Sequence, residues 1–127
     1  MENPMPYEVT EEIENNTNIA LVNESQFFTF MKGVNAEGKQ RTLEEQAERM
    51  RAHGISMGLS EEDCNEVKQA ILASPDNSTL TDFDIDTQTI VKTTTYPSET
   101  TYNNIVAIRN SLTGGGVSWT VINKQTV

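Results

Sequence analysis

The apolar positions of this chain fall into alternating and helical patterns, separated by stretches rich in Asn, Gly, Ser and Thr. Tyr7, Val9, Glu11 and Ile13 alternate with Glu8, Thr10 and Glu12, a period of two that predicts a half-buried strand. The run 14–18 is turn chemistry, because Asn tolerates left-handed backbone and bonds its own main chain. Residues 19–22 then read as the return strand of an N-terminal β-hairpin with an acidic outer face.

A short helix capped by Ser25 is expected next, carrying Phe27, Phe28, Phe30 and Met31. Three phenylalanines so close together cannot share one helix face, so this segment is expected to be buried on more than one side or to face a partner through Phe28.

Residues 42–74 carry the clearest local pattern, a helical hairpin with two start signals and two stops. Thr42 and Glu45 form a capping-box pair, and Leu43, Ala47 and Met50 recur at helical spacing. Gly54 stands where a left-handed terminal residue is wanted, just after His53. Ile55, Met57 and Leu59 are expected to tuck into the core from the connection. Ser60 and Asp63 repeat the cap, Cys64, Val67, Ala70 and Ile71 supply the inner face, and Ser74-Pro75 ends the helix.

The style then changes. Nine of the 23 residues at 79–101 are threonine, a β-branched residue suited to pleated, partly wet surfaces. Strands are expected at 80–85 and 89–96. A helix capped by Ser98 should cover 99–112 with Tyr102, Ile105, Val106, Ile108 and Leu112 inside. After the glycine run 114–116, a strong last strand is expected at 117–122. The fold class is therefore α+β: one small domain over 1–127, with an extended arm at 1–6, the N-terminal β-hairpin, the helical hairpin, and a ββαβ half at 78–123 closing a mixed sheet.

Composition narrows the functional classes more than it selects one. The 127 residues are enough for one core, although the hydrophobic fraction of 35% makes that core modest. Net charge is −10, and residues 1–30 hold six acids and no Lys or Arg. Such a field repels phosphate, which argues against DNA reading and anionic membranes; it leaves basic partners open beside the simpler reading that the charge only keeps the protein soluble, and the expected partners are other proteins or further copies of this chain. No run approaches the ~18 apolar residues of a membrane span, and no secretory signal is visible, so a cytoplasmic or virion location is expected.

The candidate chemistry is thin. Asp82, Asp84 and Asp86 open like a calcium loop, but Thr87 and Thr93 stand where Gly and a bidentate Glu are needed. His53 and the single Cys64 lie on different helices, and read as a helix-terminal histidine and an inert buried thiol rather than a nucleophilic pair. The glycines at 114–116 follow a helix instead of opening one, so they do not form a phosphate cradle. A DNA-reading helix-turn-helix fails because its second helix opens with Glu61-Glu62-Asp63. Arg109 is expected at the surface, where it could hold an anion or bridge to Asp86.

No catalytic residue, cofactor or metal site is assigned. The expectation is a non-enzymatic structural component of a larger assembly, a virus or phage particle being one such assembly. An acidic inhibitor that captures a basic surface, or mimics nucleic acid, is the alternative, and a small-molecule binder the third. Candidate partner-binding residues are Glu8, Glu11, Glu12, Glu14, Phe28, Asp82, Asp84 and Asp86.

Overall fold

The computed structural model describes residues 5–15, 37, 42–84, 86, 89–112 and 117–127. Four strands and three helices follow one another as β1 (Tyr7–Asn15), α1 (Leu43–Ser56), α2 (Glu61–Ala73), β2 (Ser78–Asp84), β3 (Thr89–Tyr96), α3 (Glu99–Ser111) and β4 (Val117–Thr126). The strands form one sheet in the order β2-β3-β1-β4. All three ladders are antiparallel, a finer result than the mixed sheet expected. The α+β class, the helical hairpin and the ββαβ half are all present.

β1 is an interior strand although it comes first in the chain. β3 takes one of its edges over Tyr7–Glu14 and β4 takes the other over Tyr7–Asn15. That double pairing carries β1 two residues past Ile13, and β4 runs on to Thr126 for the same reason. Both edges of β1 are thus occupied within the described sheet. The return strand expected at 19–22, the helix with Phe28, and the glycines at 114–116 lie outside the described residues.

The helices start where the side chains allow. Thr42 Oγ1 accepts from the Glu45 backbone N–H at 3.1 Å, and the Glu45 carboxylate accepts from the Thr42 N–H at 3.0 Å, the reciprocal box the sequence predicts. Ser60 and Ser98 cap α2 and α3 by accepting from Asp63 and Thr101 N–H groups. Within α1 the Glu48 carboxylate takes Arg51 Nε and Nη2 at 2.8 Å, and Lys68 Nζ of α2 lies 3.8 Å from the same carboxylate.

The stop of α1 differs from expectation. Gly54 is inside the helix and Gly58 is the left-handed terminal residue, with φ of 99°. Gly58 N–H donates to the Ile55 carbonyl and Leu59 N–H to that of Gly54, which closes the helix in a Schellman turn. Leu59 packs on the core, whereas Ile55 and Met57, also expected there, are exposed. Gly54 has a different duty. A Cβ there would stand 2.8 Å from both Cys64 Sγ and Ile108 Cδ1, so only glycine lets α1, α2 and α3 approach this closely.

The core lies between the helices and one face of the sheet. Val9, Met50, Val67, Ile71, Ile105 and Ile108 are buried there, and Tyr102 of α3 packs against Tyr7 and Tyr96 with ring centroids 5.7 and 5.1 Å away. No helix among the described residues is long and apolar enough to cross a membrane.

Candidate functional site: an acidic outer face and a buried charge cluster

Strand alternation gives the sheet two chemically distinct sides. The inner rows pair Tyr7 with Tyr96, Val9 with Thr94, Glu11 with Lys92 and Ile13 with Ile90. All eight are buried. The outer rows alternate with these and carry the remaining acids.

On the outer face the two acidic runs of the sequence are brought side by side. Val91 lies between Glu12 on β1 and Asp82 on β2, and Thr89 lies between Glu14 and Asp84. These six residues line one shallow groove of about 420 Å³. Strand geometry sets the backbones of the two acidic residues of a row about 10 Å apart and successive rows about 7 Å apart. Thr10 and Thr93, one row further along, share a hydroxyl hydrogen bond of 2.8 Å. A register shift between Leu80 and Asp82 puts Asp82 in phase with this face.

The other predicted acids lie elsewhere. Glu8 is near the opposite end of β1, where its carboxylate accepts from Gln125 Nε2 at 3.1 Å on β4. Asp86 is exposed in the β2–β3 turn, and its N–H donates to Asp84 Oδ1 at 2.9 Å. Glu11 does not belong to the outer face at all. It stands in the apolar phase of β1, with only 1% of its surface exposed, so it cannot touch a partner.

Glu11 instead belongs to a cluster that sequence reasoning did not assemble. Arg109, expected at the surface, is 7% exposed, and its Nη2 lies 3.2 Å from Glu11 Oε2. This bridge stands in place of the one to Asp86 because Arg109 shares the buried side of α3 with Ile105 and Ile108 and reaches β1. Lys92, directly across the ladder from Glu11, is fully buried. Burial pushes the Lys92 ammonium down to about 7, Glu11 opposes that fall and Arg109 adds to it. Burial also raises the phenols of Tyr96 and Tyr102, with Glu11 acting in the same direction.

His53 and Cys64 do not form a nucleophilic pair. His53 Nε2 is 2.8 Å from Ser111 Oγ and ties α1 to the end of α3, while Cys64 is buried with its thiol pushed up by desolvation. A second depression, of about 620 Å³, is lined by Glu61, Glu62, Asn65, Glu66, Gln69 and Pro97 along the outside of α2. Among the described residues no group of three or more His, Cys, Asp or Glu side chains is arranged to hold a metal.

A sequence signal for the buried cluster existed. Glu11 on β1, Lys92 on β3 and Arg109 on α3 each interrupt an apolar stripe with a charge, and the signs are complementary. No protein-family model, curated protein or solved structure matches the chain.

Proposed function

We propose that this protein is a non-enzymatic interaction component of a larger protein assembly, which it joins through the outer face of its sheet. One observation carries the reading: helices cover the inner face, whereas the outer face gathers Glu12, Glu14, Asp82 and Asp84 around Val91 and Thr89 in a single groove. Acids around a small apolar and hydroxyl-bearing floor suit a basic protein surface, which supplies both counter-charge and hydrocarbon from its Lys and Arg stems. A virus or phage particle is an assembly that the threonine-rich sheet and acidic composition would suit.

The two parallel rows of carboxylates favour an inhibitor as the second reading, with acids standing in for phosphates on a basic target. Both readings place the partner on the same face.

A lysine-rich peptide is the probe. Binding is measured by calorimetry at low and moderate salt for the wild type, for Glu12→Lys with Asp82→Lys, and for Glu61→Lys with Glu62→Lys on α2. Salt-sensitive binding that falls at least tenfold in the first pair and is retained in the second supports the outer face. Equal weakening in both pairs would assign the attraction to the net charge of −10 and remove the groove as a site.

A further inference from the structure

The described sheet ends differently at its two edges. β2 forms one edge with seven residues, and it carries Asp82 and Asp84 together with a register shift between Leu80 and Asp82. Charges and irregularities of that kind keep a further strand from adding to an edge. β4 forms the other edge with ten residues, and among the described residues its one strand neighbour is β1. Residues 120–127 are exposed without a break, with Val121 42% and Ile122 56% open to solvent.

β4 also belongs to the acid-free part of the chain. All 19 acids lie at or before Glu99, and residues 100–127 hold none. Lys124 is the one charged residue of the strand. Two copies of a chain with net charge −10 repel each other, and that repulsion is weakest where acids are absent. Basic partners are drawn to the acids elsewhere, so a nearly uncharged edge suits a partner that is itself acidic. A second copy is such a partner.

We infer that β4 is a self-association edge: it pairs antiparallel with β4 of a second copy and joins two four-stranded sheets into one of eight. A twofold axis perpendicular to the sheet generates this pair, so the interface is isologous. The β1 ladder steps from Asn123 opposite Thr10 to Val121 opposite Glu11, which makes Ile122 the extra residue of β4. Centring the pair on Ile122 brings the two bulges together at the axis. It also sets Lys124 opposite Thr120 of the other copy, so like charges do not face each other.

The same axis keeps both outer faces on one side of the joined sheet. The β3 strands that floor the two acidic grooves are then five strand spacings apart, about 24 Å. The pairing is independent of what those grooves bind.

The test follows the mass of the intact chain by sedimentation equilibrium from about 1 μM to 1 mM, with hydrogen exchange of the β4 amides at both ends of that range. The mass is expected to rise from 14.2 kDa towards twice that value, and exchange at 120–126 to slow as it rises. Added salt is expected to strengthen association by screening the repulsion between acidic copies. Salt has the opposite sign for a lysine-rich peptide on the outer face, so the two readings fail separately. Ile122→Asp is expected to weaken association about tenfold or more, and Leu80→Asp, exposed on the β2 edge, to leave it within about twofold. A chain that stays at 14.2 kDa up to about 1 mM would overturn the pairing. So would association that leaves β4 exchange unchanged, or that both variants weaken equally. Should Ile122→Asp not fold, the wild-type mass and exchange decide alone.

Discussion

Glu11 and Glu12 are neighbours in the chain, yet their carboxylates act on opposite sides of the sheet. Glu11 is bonded to Arg109 in the core, while Glu12 opens into the acidic groove. Their substitutions should therefore differ in kind. Glu11→Gln takes the charge from the carboxylate bonded to the buried Arg109 guanidinium and should cost about 3–5 kcal/mol in denaturant unfolding. Glu12→Gln should stay within about 0.5 kcal/mol. Similar costs at both positions would refute the alternation.

Replacing the whole cluster is expected to be milder than breaking it. Glu11→Leu combined with Lys92→Met and Arg109→Met removes together the charges buried among the described residues and substitutes apolar groups of comparable size. Such replacements are often neutral or stabilising, so the triple variant should be more stable than Glu11→Gln alone. A loss larger than that of the single variant would show the cluster to be a net source of stability.

Stability should rise and then fall with pH. Lys92 sits below its ordinary 10.5 when folded, so unfolding takes up a proton above about 7 and stability climbs by about 1.4 kcal/mol per pH unit. Cys64, Tyr96 and Tyr102 are shifted upward from ordinary values of 9.0, 10.0 and 10.0, so the unfolded chain loses those protons first and stability declines at higher pH. A maximum near pH 9 in thermal midpoints is the expected result. In Lys92→Met the rising limb should vanish.

Gly54→Ala sets helix propensity against packing. Alanine favours the helix by about 1 kcal/mol, but its Cβ would stand 2.8 Å from Cys64 Sγ and Ile108 Cδ1. A net loss of about 1–3 kcal/mol is expected from overpacking. Adding Cys64→Ala makes room on one side, so the double variant should lose less than the two single losses added together. Additive losses would mean the contact does not limit the helix approach.

Helix starts and strand phases were legible because they depend on near neighbours. Thr42 with Glu45, Ser60 with Asp63, and Ser98 each announce an end within four residues, and all three caps are formed. The phase of β1 was also legible, with Glu11 in the apolar register. What could not be read was the pairing. Whether Glu11 meets Lys92 depends on the β1–β3 register, across more than 80 residues of chain, and Arg109 reads as a surface residue because nothing local names Glu11 as its partner. Gly54 shows a related limit. A glycine near a helix end suits a left-handed stop, and its role in a three-helix contact depends on Cys64 and Ile108 from other elements. The acidic groove was half legible. Both acidic runs were visible, and only the strand order puts them side by side.

The central place of β1 has a consequence for how the chain is made. Residues 7–15 are synthesised before both of their neighbours in the sheet, residues 89–96 and 117–126. α1 and α2 can assemble from sequence neighbours as they emerge, whereas the first strand waits with both edges unsatisfied until nearly all of this sequence has been synthesised. The acids at Glu8, Glu12 and Glu14 then serve before any folded surface exists, since like charges on waiting strands of nascent chains discourage them from pairing with each other.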